Sequence, residues 1–202
     1  MIKNVILDMG NVLLSYDPLV ILNKVCETEE EKQLILTHLF ESDIWLMGDR
    51  GEITNDQRYE LAKEHLPEEL HPKLKECVAN WDICMLPIAG AKEFCHSCRE
   101  AGYHIYVLSN ACNRFYDYFP REYDMDFFDG IMVSSSVHLI KPDTRIYELL
   151  CNTYSLKPEE CIFIDDRPEN AEAAEAVGMK GIIFDGSFAV IEKQLLHVES
   201  SK

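Results

Sequence analysis

Residues 2–11 read Ile2-Lys3-Asn4-Val5-Ile6-Leu7-Asp8-Met9-Gly10-Asn11, an apolar run that stops abruptly at an acid. A strand with one wet face would alternate apolar and polar residues; a continuous apolar run is how a strand buried on both faces reads. The pattern recurs downstream. Residues 103–108 (YHIYVL) stop at Ser109-Asn110, 161–164 (CIFI) at Asp165-Asp166, and 181–184 (GIIF) at Asp185. A weaker run, 129–133, precedes Ser134-Ser135-Ser136. Helical patterns separate most of these runs. Residues 89–101 end at Gly102, and 168–177 open on Pro168 and close at Gly178, which are the favoured residues for a helix start and stop. Buried strands alternating with amphipathic helices predict an α/β fold with a doubly wound parallel sheet.

One stretch breaks the alternation. Between Asp17-Pro18 and Leu86-Pro87 no strand is legible and the text is helical throughout. Thr28 with Glu31, and Thr54 with Gln57, have capping-box spacing, and Leu34, Ile35, Leu39 and Phe40 recur at helical intervals. The expected organisation is a core formed by residues 1–16 and 87–202, carrying a helical insertion at 17–86. No internal repeat or low-complexity tract interrupts it.

Composition narrows the function classes. A chain of 202 residues, 47% hydrophobic and 27% charged, can bury a real core. Its net charge of −17 argues against nucleic acid or an anionic membrane as partner, since both are polyanions. The N-terminal residues lack the features of a secretion signal, and no apolar run approaches the roughly 20 residues of a membrane helix, so a cytoplasmic location is expected. Eight cysteines then read as reduced thiols. Cys95-His96-Ser97-Cys98 looks like half of a zinc site, but no partner pair exists and the segment has a helical pattern; helix packing is the expected role.

In open parallel sheets ligands bind beyond the carboxyl ends of the strands. Here those ends carry Asp8, Ser109-Asn110 and Asp165-Asp166. Polar residues commonly follow strands, which accounts for any one of these but not for the chemistry of the set. Three clustered carboxylates repel one another unless a cation sits among them, and hard oxygen donors suit Mg²⁺ rather than zinc or copper. An anionic substrate would need the same local positive charge.

At this point the motifs become specific. Val5-Ile6-Leu7-Asp8-Met9-Gly10-Asn11-Val12, Val107-Leu108-Ser109-Asn110, Lys141-Pro142-Asp143 with Ile146-Tyr147, and Ile162-Phe163-Ile164-Asp165-Asp166 with Asn170 resemble, in order, the four motifs of the haloacid dehalogenase (HAD) superfamily. The resemblance spans residues 2–184. It implies a Rossmann-like core, with the insertion as a small α-helical (C1) cap. It also implies Mg²⁺-dependent phosphomonoester hydrolysis, with a small phosphorylated metabolite as partner. By analogy Asp8 is the nucleophile that becomes an aspartyl-phosphate, and Mg²⁺ is held by Asp8, the Gly10 carbonyl and Asp166, with Asp165 assisting directly or through water. Ser109 and Asn110 would hold phosphoryl oxygens, Lys141 would supply positive charge, and Asn170 would orient Lys141 or a metal-bound water.

Gly10 departs from the family pattern. Most HAD phosphatases carry a second Asp there, which protonates the leaving group, and a general acid is typically worth ~10²–10⁴ in rate. Three explanations stand: Asp49 or Glu52 of the insertion or a water supplies the proton, the leaving group is good enough to need less, or the chain is not a phosphatase. The Asp-x-Gly-Asn-Val form resembles the subgroup containing the bacterial α-glucose-1-phosphate phosphatase, as do Gly51-Glu52-Ile53 and Arg145-Ile146-Tyr147. That implies small sugar phosphates, with sugar 1-phosphates in keeping with the leaving-group argument. In the insertion, Trp45, Asp49, Arg50 and Trp81 are candidates to face the site, with core packing favoured for the tryptophans and a phosphate or sugar contact weighed evenly against a surface ion pair for Arg50. The rivals are a metal-independent 2-haloacid dehalogenase and a non-catalytic binding protein of the same fold; a phosphomutase fits less well without the acid at position 10.

Overall fold

The computed structural model describes residues 1–196; the last residues of the expected core segment, 197–202, lie outside the described residues. The doubly wound α/β architecture is present. Five parallel strands, β1 (Asn4–Leu7), β2 (His104–Ser109), β3 (Gly130–Val133), β4 (Cys161–Asp165) and β5 (Lys180–Ile183), form one sheet in the order β3-β2-β1-β4-β5. The weak run at 129–133 is thus a true strand, at the edge. The chain fills one side of β1 with β2 and β3, then crosses to the other side for β4 and β5. The reversal falls at β1, the place where open α/β sheets bind ligands.

Both faces of the sheet are covered. Val5, Leu7, Ile105, Val107, Ile162 and Ile164 belong to one apolar cluster, whereas Ile6, Tyr106, Leu108 and Phe163 belong to another. Successive residues of a strand point to opposite faces, so burial on both sides demands the unbroken apolar runs seen in the sequence. Register completes the placement: Leu7 pairs with Val107 on one side and Ile164 on the other, which brings the residues following all three strands to one edge.

Between β1 and β2 the chain is helical, including Leu19–Val25, Glu29–Ile35, a π-helical turn at Leu36–Phe40, Asp43–Asp49, Asn55–Lys63 and His71–Asn80. Thr54 and Gln57 form a complete capping box. Thr28 and Glu31 form only half of one. The Glu31 amide donates to Thr28, but the Glu31 carboxylate accepts from the Glu27 amide and from Lys73 instead of closing back on Thr28. The two connections to the core run side by side: the Ser15 amide donates to Leu86 O at 2.7 Å, and the Ile88 amide to Leu13 O at 3.0 Å.

Cys95 and Cys98 are buried in helix Ala91–Glu100, as packing residues, and all eight cysteines are free. Among the described residues no helix is long and apolar enough to cross a membrane.

Candidate active site

Beyond the carboxyl ends of β1 and β4, Asp8, Asp165 and Asp166 bring carboxylate oxygens within 4.8 Å of one another. Lys141 sits among them, 3% exposed. Its ammonium donates to Asp8 Oδ1 at 2.6 Å, to Asp165 Oδ2 at 2.8 Å and to Leu108 O at 2.9 Å, which uses all three of its N–H bonds. Asn110 holds that lysine by its backbone. The Asn110 side chain donates to Lys141 O at 3.0 Å and accepts from the Lys141 amide at 2.9 Å.

Asn170 makes its side-chain hydrogen bonds to Asp165. Its Nδ2 lies 2.9 and 3.1 Å from the two Asp165 oxygens, so it orients Asp165, which in turn holds Lys141. The Arg167 amide adds a further bond to Asp165 Oδ1 at 2.9 Å. Asp165 thereby accepts at both oxygens twice over, filling the roughly four lone-pair sites of a carboxylate. With those sites filled, Asp165 acts by holding Lys141 in place, while Asp8 and Asp166 keep oxygens for direct bonds to a metal. Asp166 accepts from Asn11 Nδ2 at 3.1 Å. Asn11, in the left-handed region at φ 54, also accepts from the Tyr16 amide. In the sequence Asn11 is signalled only as the Asn of the Asp-x-Gly-Asn-Val form.

Burial pushes the Asp8 carboxyl up to about 7, Asp165 and Asp166 push the same way, and Lys141 opposes them. Burial also raises Asp166. Burial alone would lower Lys141, but Asp8 and Asp165 overcome it and hold the ammonium above its usual range. A single lysine thus leaves the acids undercompensated, and the all-oxygen donor set fits a hard divalent ion such as Mg²⁺. Ser109 is at the strand end as expected but fully buried, and its hydroxyl has no partner among the described residues.

A cavity of about 260 Å³ opens above the acids. Asp8, Gly10, Lys141 and Asp166 form its floor; Tyr16, Phe40, Trp45, Asp49 and Trp81 form much of its walls. Trp45 and Trp81 are buried and meet edge to face at 5.1 Å, so they belong both to the core and to the cavity wall. The Tyr16 and Tyr118 hydroxyls and Trp81 Nε1, all on lining residues, have no partner among the described residues.

Arg50 is not among the residues lining the cavity. It ends helix Asp43–Asp49, and its carbonyl lies 2.9 Å from His138 Nδ1. The buried cation of the insertion is Arg58, fully excluded from solvent. Its guanidinium lies 4.0 Å over the Trp45 ring, donates to Trp45 O at 3.0 Å and reaches Asp49 Oδ1 at 3.5 Å. An Arg in the strongly polar helix Asn55–Lys63 reads as solvated, so nothing in the sequence singled it out. Burial pushes Asp49 up to about 7 despite Arg58. Residues 49–51 are fastened to the segment after β3. Ser134 Oγ donates to Asp49 O at 2.5 Å, and Gly51, at φ 71, leaves so little room that a Cβ there would sit 2.3 Å from Ser135 O.

A model of the family of haloacid dehalogenase-like hydrolases matches residues 2–178. The chain belongs to that family. It is therefore an enzyme, a hydrolase, and phosphatases are among its relatives. A sesquiterpene phosphatase of Aspergillus oryzae is 29% identical over 93% of this chain and 92% of its own length. A HAD family enzyme from Bacteroides thetaiotaomicron, in complex with magnesium and inorganic phosphate, shares the fold at a TM-score of 0.71 and 22% identity, over 95% of this chain and 99% of that one. L-2-haloacid dehalogenase from Xanthobacter autotrophicus shares it at a TM-score of 0.63 and 17% identity, over 89% and 76%.

Proposed function

We propose that this HAD hydrolase cleaves phosphomonoesters of small organic molecules through an aspartyl-phosphate on Asp8, with Mg²⁺ as cofactor and residues 17–86 acting as a cap. The observation that carries this is the Asp8–Asp165–Asp166 cluster with Lys141 bonded into it at 2.6 and 2.8 Å. A haloalkanoate displacement needs no metal and no such concentration of acids. Asp8, Asp166 and the Gly10 carbonyl would hold Mg²⁺, which offsets the repulsion between an anionic nucleophile and an anionic phosphate. An Asp8 oxygen attacks phosphorus as the ester oxygen departs, and water then hydrolyses the acyl phosphate, dividing one hard displacement into two. Lys141 and the Asn110 amide neutralise and orient the phosphoryl oxygens; Ser109, fully buried and absent from the cavity wall, would reach them only after its side chain turned. Asn170 acts one step removed, by fixing Asp165. Eight free cysteines support a reducing, cytoplasmic setting.

For the organic moiety we favour a small sugar, including sugar 1-phosphates. Asn11, Asp49, Asn110 and Arg167, hydrogen-bonding residues on the same cavity as the aromatic Tyr16, Trp45 and Trp81, suit a hydroxylated ligand. The apolar residues Phe40, Trp45, Leu46 and Met85 on the same cavity favour a second reading, an isoprenoid phosphate, in line with the Aspergillus relative. Phosphate release with Mg²⁺ from a panel of anomeric sugar phosphates, primary sugar phosphates and prenyl phosphates separates the two. Turnover abolished by EDTA, together with acid-stable labelling lost in Asp8→Asn, supports the reading. Halide release from 2-chloropropionate unaffected by EDTA, with no phosphate released from any ester, overturns it.

A further inference from the structure

We propose that Asp49, from the insertion, is the acid that protonates the leaving oxygen, the role left open by Gly10. The inference rests on the phosphatase reading above and adds a catalytic residue to it. Asp49 lines the same cavity as Asp8, Gly10 and Lys141, yet is 8% exposed. It reaches the site by docking on the loop that follows β2. The Cys112 amide, two residues beyond Asn110, lies near enough to favour the ionised Asp49 carboxyl, and the Asp49 carbonyl accepts from Ser134 Oγ. Glu52, the other acid considered in this stretch, is exposed and absent from the cavity wall.

The surroundings suit an acid that must be protonated near neutrality and must then carry a charge. Burial favours the neutral form and holds the carboxyl at about 7. Arg58, at 3.5 Å, stabilises the carboxylate left after transfer. The other titratable groups facing it are Tyr16 after β1 and Cys112 and Tyr118 after β2; burial keeps all three protonated, so none contributes charge near neutrality. An acid with its pKa near the working pH is the efficient one. A bond forms between Asp8 Oδ and phosphorus, the bond from phosphorus to the ester oxygen breaks, and the Asp49 proton passes to that oxygen, releasing an alcohol. In the second displacement water attacks phosphorus from the position the alcohol vacated, the bond from phosphorus to Asp8 Oδ breaks to release inorganic phosphate, and the Asp49 carboxylate takes the water's proton, restoring the starting state.

The test compares p-nitrophenyl phosphate, whose leaving group needs no proton, with a simple alkyl phosphate, which does. In Asp49→Asn, kcat/KM for the alkyl ester should fall ~10²–10⁴-fold while the nitrophenyl ester stays within a few-fold. In the wild type, the ratio of alkyl to nitrophenyl rates should fall as pH rises through about 7, and this limb should vanish in the variant. Gly10→Asp in the Asp49→Asn background should restore the alkyl ester, because a Cβ at Gly10 comes no nearer than 3.9 Å to another group, Asp8 Oδ2. Equal losses on both esters, or a wild-type ratio that does not change with pH, would overturn the assignment, and the wild-type measurement decides even if the variant does not fold. A wild-type enzyme that turns over neither ester sinks the phosphatase reading itself, and this assignment with it.

Discussion

The Lys141 ammonium and the Asp8 carboxylate lie 2.6 Å apart, although 133 residues separate them along the chain. The pair is buried, and the lysine is shared with Asp165. Lys141 is therefore part of the floor of the site rather than a mobile arm that swings to a ligand. With all three acids ionised, one ammonium leaves two negative charges uncompensated, which is the charge of one divalent cation.

Truncating Lys141 should therefore damage the protein before it damages catalysis. Lys141→Ala strands Asp8 and Asp165 as buried, unpaired acids and should cost about 3–5 kcal/mol in urea unfolding without metal. Adding Mg²⁺ should recover part of that loss. Stability unchanged by the substitution would mean that the acids are solvated.

Mg²⁺ should stabilise the wild type against heat, by about 2.7 kcal/mol at one hundred times its dissociation constant. Asp166→Asn should shrink that shift, and Asn11→Ala, which frees Asp166 from its 3.1 Å bond, should weaken Mg²⁺ binding ~10–100-fold by calorimetry. Asp165→Asn should weaken Mg²⁺ less than Asp166→Asn, since Asp165 is already filled by Lys141, Asn170 and the Arg167 amide.

Asp8→Asn should abolish phosphate release from every ester, because the amide keeps the shape but loses the nucleophilic oxygen. Gly10→Asp alone should raise turnover of poor leaving groups more than good ones, measured as the ratio of kcat/KM values.

Gly51→Ala tests how the insertion is seated. Gly51 and Gly102 both have positive φ, 71° and 88°, but a Cβ at Gly51 would strike Ser135 O whereas one at Gly102 meets nothing within 4 Å. Gly102→Ala should cost only the backbone term, about 1–2 kcal/mol. Gly51→Ala should cost more and should also raise KM, read from thermal unfolding and steady-state kinetics. Equal costs with unchanged kinetics would show that this contact does not seat the insertion.

The parts legible in the sequence are those governed by periodicity. Burial on both faces wrote the strands as continuous apolar runs, and the strand ends named Asp8, Asn110, Asp165 and Asp166 directly. Lys141 came from resemblance, since a lysine before a proline otherwise reads as a solvated loop. What stayed hidden depends on tertiary placement. Arg58 lies in a polar helix and gives no sign that packing against Trp45 buries it. Around Arg50 it is the backbone, through Asp49 O, Arg50 O and Gly51, that meets residues 134–138, a contact that leaves no mark in the side-chain pattern. The bond from Asn170 to Asp165 is hidden for the same reason, because spacing along a chain does not say which of several neighbouring groups an amide will reach.

The attachment of residues 49–51 to the segment after β3 couples fit to reactivity. A molecule too bulky to lie beneath Trp45 and Trp81 would hold this turn off the core and carry Asp49 away from the ester oxygen with it. Oversized esters would then be rejected in the chemical step as well as in binding, so a series of increasingly large alcohols should show kcat collapsing at a threshold instead of KM rising smoothly.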